Sequence, residues 1–379
     1  MATIRDVARA AGVSIATVSR VYNASPRVSE ETVRRVKAAA TRMDYWPNEA
    51  ARSLTTSRTH ALGVLFPDLY GEFFSEVIRG IDHAARREHY QILVSSSHAD
   101  TEALASVART LRGRVDGLIA MVPDEGSATA IRQMARRFPV VLLNPRFNLL
   151  TCGSISIANF DGARSMVEHL LALGHKTIAM ITGPSGNVDA EERLRGYRTA
   201  LLEAGLGPSS TLEIEGDFTE SSGYRSAFEI LSHTPRPSAV FAANDYMAIG
   251  LLSALRDAAV AVPGDMAVTG FDDIAIAQYL SPPLTTVHVD AYELGARAVE
   301  HWMAYAKNGN GKKHRAEVIP TTLVVRRSCG STRPGSADAR GRRRRDAGSH
   351  DAPGNGTGTL IAAPGERPPH VSPDGIPSD

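Results

Sequence analysis

Residues 12–23 read GVSIATVSRVYN, a helix-sized run whose side chains suit contact with a nucleic acid. The fork of Arg20 matches guanine O6 and N7, and Ile15 or Ala16 can lie against thymine methyls. Thr17, Ser19, Tyr22 and Asn23 carry hydroxyl or amide groups suited to phosphate oxygens. A second set of residues offers different chemistry. Phe73 and Phe74, Asn144, Asn187, Asp189 and Arg193, Phe218, Asn244 with Asp245, and Asp272 with Asp273 come after apolar runs of strand length. Carboxylates, amides and a guanidinium grip adjacent hydroxyls while aromatic faces cover C–H bonds, so this set suits a sugar.

The elements that must position the first set lie within the first sixty residues. Thr3 and Asp6 have the spacing of a capping box, which predicts a short helix to Ala11 with Ile4, Val7 and Ala8 on one side. Gly12 supplies a turn. Ser14 caps a second helix with Val18 and Val21 inward and Ile15, Ala16, Thr17 and Arg20 outward; Ser29 caps a third, whose Val33, Val36, Ala40 and Met43 follow helical spacing. Two short helices across a glycine turn, buttressed by a third, make a helix-turn-helix. Residues 1–58 hold ten basic and five acidic side chains although the whole chain of 379 residues is nearly neutral, at +1, so the attraction for a polyanion is local.

The second set needs a larger frame. From Ala61 the runs ALGVLF, QILVSS, DGLIAMV, PVVLLN, TIAMITG, LEIEGD, SAVFAA and MAVTGF alternate with amphipathic helices, the pattern of parallel α/β sheets. FFSEVIRGIDHAARR shows the helical period, with Phe74, Val77, Ile78, Ile81 and Ala85 on one stripe. A break near TCGSISIANFDG divides the body into two lobes, and LTTVHVD carries the chain back to the first. Ligands of open α/β sheets bind beyond the carboxyl ends of the strands, here between the lobes. Duller readings exist: Asp272 and Asp273 suit a cap for a helix from Ile274, Asn244 and Asp245 a cap for YMAIGLLSALRD, and Phe74 the core of its own helix.

ATIRDVARAAGVSIATVSRVYN, followed by VSEETVRRVKAAATRMDYWPNEAARSL, resembles the headpiece and hinge of the lactose/galactose repressor family, and the resemblance runs on through TTLVVRRS. It implies a two-lobed body of the periplasmic-binding-protein type, and a hinge helix over Asn48–Thr56 that forms on an operator, with Leu54 as a minor-groove wedge. Asn48 after Pro47 is a good N-cap, and Leu54 beside Arg52 is what a wedge requires. Thr3, Ser14, Asn48, Ala51, Arg52 and Leu54 thus join the candidate DNA contacts. The resemblance also aligns Arg193, Asn244 and Asp272 with effector-contacting positions. Asn187 and Asp189 stand where purine-responsive relatives tend to carry a basic and a hydroxyl group, and Asn144 where many sugar-binding relatives have Asp; sugar and purine or nucleoside effectors both stay open.

The expected organisation is an all-α helix-turn-helix headpiece (1–47), a hinge helix and linker (48–59), a two-lobed α/β effector-binding and dimerisation body (60–330) and a disordered tail (331–379), rich in Gly, Pro, Ser and charge. With no leucine heptad in the tail, a homodimer is expected rather than a tetramer. RGRRRR reads as a solvated basic run. Cys152 and Cys329 are far apart and lack metal-ligand spacing, so no disulfide framework, metal or cofactor is expected. MATIRDVARA has no apolar leader core, and no run is long enough to span a membrane, pointing to the cytoplasm. Phosphate loop, nucleophile elbow and Ser/His/Asp order are absent, which argues against an enzyme; a solute-capture module would carry an export signal and no DNA module.

Overall fold

The computed structural model describes residues 2–22, 26–46, 58–97, 106–107, 109–111, 113–122, 128–146, 152–207, 211–308 and 316–330. Asn23, Asn48, Ala51, Arg52 and Leu54, and the tail from 331, lie outside the described residues. The headpiece consists of α1 (Ile4–Ala10), α2 (Ile15–Tyr22) and α3 (Glu30–Arg42). The Thr3 hydroxyl accepts from Asp6 N while the Asp6 carboxylate accepts from Thr3 N, so the expected capping box is formed. Val7, Ala8, Ala11, Val18, Val21, Val36, Ala39 and Ala40 close a small core of their own.

The body follows as β1 (Ala61–Phe66), α4 (Glu72–Arg87), β2 (Gln91–Ser96), β3 (Gly117–Met121), α5 (Ala128–Ala135), β4 (Val140–Leu143), β5 (Gly153–Ile157) and α6 (Asn159–Ala172). It continues with β6 (Ile178–Thr182), α7 (Val188–Glu203), β7 (Thr211–Glu215), α8 (Glu220–Ser232), β8 (Ala239–Ala242), α9 (Asp245–Asp257) and β9 (Ala267–Thr269). The last elements are β10 (Thr286–Val289), α10 (Ala291–Asn308), β11 (Ala316–Ile319) and β12 (Thr321–Val324). One lobe has a parallel sheet ordered β11-β5-β4-β3-β1-β2, the other a parallel sheet ordered β7-β6-β8-β9, and the antiparallel pair β10-β12 lies in the crossover. All eight apolar runs are strands. GSISI, which reads as a break, is instead β5, paired with β4 and β11; its alternating Ser residues dilute the apolar signal of a strand that buries Ile155 and Ile157.

β1 is buried along its whole length, as expected for a parallel strand covered on both faces. α4 buries Val77, Ile81 and Ala85 and packs closely on α10. A Cβ on Gly80 would stand 2.0 Å from the Tyr292 carbonyl oxygen and one on Gly295 2.1 Å from that of Val77, so the two backbones touch and larger residues would force the helices apart.

Candidate effector cleft and nucleic-acid interface

The carboxyl ends of strands from both lobes surround one cavity of about 380 Å³. Phe73, Phe74, Asn144, Asn187, Asp189, Arg193, Phe218, Asn244 and Asp272 all line it. Asn144 follows β4 and is 3% exposed; its Oδ1 accepts from Ile157 N at 2.8 Å, and its side chain helps to hold the buried Asp189 carboxylate.

Arg193, 4% exposed, is the hub of the opposite wall. Its Nε donates to Asn159 Oδ1 at 2.8 Å, its Nη1 to the Ala243 carbonyl at 2.5 Å, and its Nη2 lies 3.3 Å from Asp272 Oδ1. The guanidinium also stacks 3.8 Å over the Phe271 ring. Asn159 Nδ2 in turn donates to Asp189 Oδ1 at 2.7 Å, so one amide ties the acid to the base. Burial pushes the Asp272 carboxyl up to about 6, with Arg193 opposing and Asp189 reinforcing the rise. Burial likewise raises Asp189, and raises Asp245 well above the usual carboxylate range.

Several residues hold the site rather than face a ligand. Asn244 caps α9, its Oδ1 accepting from Met247 N at 2.9 Å, while its Nδ2 donates to the Phe218 carbonyl. Asn187 caps α7 through the Asp189 and Ala190 amides. Asp272 and Asp273 cap nothing: Ile274 N donates instead to buried Asp245, which also accepts from the Thr286 hydroxyl at 2.6 Å. Phe74 packs on Phe66 and Phe73 as well as lining the cavity. Asn144, Phe218, Asp272 and Asp273 all have positive φ, a conformation that costs a non-glycine residue energy and is held here by the surrounding bonds.

Cross-lobe contacts close the cleft. Glu72 N donates to the Tyr246 hydroxyl at 2.9 Å, Ala275 N to Glu72 Oε1 at 2.7 Å, and the Tyr70 hydroxyl to Glu220; Arg146 reaches the Gly186 carbonyl and pairs with Glu191. Sequence reasoning missed Asn159, Tyr70, Tyr246 and Arg146. Asn159 was hidden because β5 before it was not recognised; the tyrosines and Arg146 come together only when the lobes do.

In the headpiece, Ser14 caps α2, accepting from Thr17 N at 3.1 Å, and Thr3 caps α1. Ile15, Ala16 and Arg20 are exposed, Val18 and Val21 buried, and Thr17, Ser19 and Tyr22 half-buried, with Tyr22 against Tyr45. One face of α2 is therefore free for a groove.

Residues 3–48 match the model of bacterial regulatory proteins of the lacI family, and residues 167–329 that of the periplasmic binding protein-like domain. The ribose operon repressor of Escherichia coli K12 is 36% identical over 336 residues, which cover 85% of this chain and 98% of that protein. The chain belongs to the LacI family. It is a helix-turn-helix transcriptional regulator with a periplasmic-binding-protein-like body. Another relative, the repressor PurR of Photobacterium profundum, is 35% identical, with 86% of this chain and 98% of that protein covered. The lac repressor dimer bound to operator and an anti-inducer superposes with a TM-score of 0.78 at 32% identity, covering 86% of this chain and 99% of that one. A LacI-family regulator of Enterococcus faecium with bound ribose gives 0.64 at 27% identity, covering 71% and 98%. Among the described residues no helix is long and apolar enough to cross a membrane.

Proposed function

We propose that the chain is a cytoplasmic repressor, not an enzyme, that binds a pseudo-palindromic operator as a homodimer and changes its affinity when a neutral sugar of pentose size occupies the cleft. The convergence of nine residues from both lobes on one cavity carries this reading. Asp68, Asp189, Asp217 and Asp272 line the cavity against Arg193, so a phosphorylated ligand would meet net repulsion, whereas hydroxyls find both donors and acceptors. The ribose-bound relative and the ribose repressor favour the same ligand class.

Arg20, Ile15 and Ala16 read bases in this scheme, with Thr3, Ser14, Thr17, Ser19, Tyr22 and Asn23 on phosphates, and Asn48, Ala51, Arg52 and Leu54 act from the hinge. The division into headpiece (1–47), hinge (48–59), body (60–330) and tail (331–379) follows. Exposed Leu93 and Val94 in one lobe, and Phe228, Ile276 and Tyr279 in the other, supply apolar surface for a second copy.

The experiment is a thermal-shift titration with D-ribose and with a purine base, followed by operator binding on a sequence selected from random DNA. Ribose is expected to raise the melting temperature and to shift operator affinity. Stabilisation by the purine base alone would replace the sugar with the ligand class suggested by the PurR relatives.

A further inference from the structure

A second concavity of about 830 Å³ lies at the other end of the same strands. Its wall is formed by His60 before β1, Tyr90 before β2, Val115 and Asp116 before β3, and Pro139 before β4, closed by the last turns of α10. β1, β3 and β4 thus run from this groove at their amino ends to the effector cleft at their carboxyl ends, where Pro67, Met121 and Asn144 stand. α10 offers a second connection, because it packs backbone to backbone on α4, whose first turn carries Phe73 and Phe74 into the cleft.

The groove has cations at its rim and rings and apolar side chains along its wall. Arg58, Arg137 and Lys307 supply the charge. Asp116 does not offset it freely, because its oxygens already accept from Thr59 N at 2.7 Å, the Thr59 hydroxyl at 2.8 Å and His60 N at 3.0 Å. Glu88 stands 3.5 Å from Lys307 at the exposed edge, and Arg137 has no carboxylate partner among the described residues. Phe138, Pro139 and Met303 add apolar surface, and His60, Tyr90 and Trp302 form a run of neighbouring rings, at 5.4 and 5.0 Å between centroids. Beneath them the Trp302 Nε1 is buried without a hydrogen-bond partner among the described residues. Two guanidinium forks suit phosphate oxygens bidentately, and ring and apolar surface suits a planar heterocycle.

We propose that this groove is a second ligand site, for an aromatic ring carrying a phosphate, of nucleoside-monophosphate size, and that its occupancy tightens operator binding. Arg58 joins the hinge to the pair Thr59–His60 that Asp116 pins to the sheet. A phosphate held by Arg58 and Arg137 fixes the residue through which the headpiece is tethered. The ordering cost then falls before DNA arrives, and binding becomes tighter by about fivefold or more, the lower range of measured couplings.

The chain has two tryptophans, Trp46 in the headpiece and Trp302 in the groove. In a Trp46→Phe variant, Trp302 is the sole fluorescent indole, and AMP is the probe, with adenosine and inorganic phosphate as the half-ligands. A saturable change with AMP is expected, weaker with either half-ligand, reduced about tenfold or more in affinity by Arg137→Ala and unaffected by saturating ribose. Arg137 is exposed, so its variant keeps the fold, which unchanged operator binding without AMP verifies. In the parent chain AMP is expected to strengthen operator binding, and Arg137→Ala to remove that effect. The absence of a response, a response that survives Arg137→Ala, or one that saturating ribose abolishes would each overturn the second site; the last would assign AMP to the cleft.

Discussion

The outer face of α2 and the wall of the cleft are built on opposite principles. On α2, the exposed side chains of Ile15, Ala16 and Arg20 make no hydrogen bond or ion pair among the described residues, and the helix is held by inward Val18 and Val21, the Ser14 cap and Tyr22 against Tyr45. In the cleft, Arg193 spends its guanidinium on Asn159, the Ala243 carbonyl, Asp272 and the Phe271 ring before any ligand arrives. A surface that reads DNA can stay idle because water satisfies its groups. A buried polar site must be satisfied internally, because an unpaired charge there costs several kcal/mol. Substitutions should therefore separate function from stability on α2 and join them in the cleft.

The largest effect expected from this contrast is at Arg193. Arg193→Ala leaves Asp272 and Asp189 without their counter-ion, so the body should lose about 3–5 kcal/mol and its response to sugar together. Denaturant unfolding and ligand titration of the same variant check this; a melt like the parent's would mean that water already shields the acids. Arg20→Ala comes next. It should change stability by less than about 0.5 kcal/mol yet cost about 1–3 kcal/mol per base contact and relax preference at one symmetric operator position. Binding across operator variants is the measurement, and a uniform loss at every position would make Arg20 a phosphate contact.

That division also decided what the sequence revealed. α1 to α3 were legible almost residue by residue, because caps at Thr3, Ser14 and Ser29 and the valine spacing are local signals. The cleft residues were legible as a list, because strand ends announce them, but not as a network. The cap at Asn244 was legible too, but nothing local shows that Asn187 faces its own helix or that Asn159 bridges Arg193 and Asp189. β5 was lost because alternating serines blur its apolar period, and β11 because it exposes Val318 and places Glu317 against Arg297 and His301, leaving Ile319 as its one buried side chain.

A smaller effect should appear with pH. Asp272 rests at about 6, above its ordinary 3.8, so between these values the folded carboxyl keeps a proton that the unfolded one has lost, and this group's contribution to stability falls as pH rises. Sugar hydroxyls that donate to it prefer the ionised form. Sugar affinity should then be level above about pH 6 and decline below it, by at most about tenfold for each unit by which the ligand lowers the bound value. Asp189 and Asp245 are raised in the same direction, so Asp272→Asn isolates the contribution: the decline should flatten in that variant. An identical profile would shift the effect to one of the other acids. Operator binding without sugar should show no inflection near 6 from this group.

The smallest effect distinguishes two roles for Thr3, cap or phosphate contact. Its hydroxyl is 2.7 Å from Asp6 Oδ2 and accepts from Asp6 N, so the side chain is already engaged at the start of α1. Removing a cap costs about 1 kcal/mol of local stability, and the loss should fall on the headpiece transition and leave the body unchanged. If Thr3 acts as a cap alone, Thr3→Ala and Asp6→Ala weaken the headpiece non-additively, because each deletes the same reciprocal pair. The salt dependence of operator binding should then stay the same, since neither substitution removes a cation that displaces counter-ions. Additive losses in stability, together with an operator affinity that falls further than headpiece unfolding explains, would return Thr3 to the DNA. α2 would then be only part of the reading surface, and the contrast between a held cleft and an idle helix would have to extend to the first turn of α1.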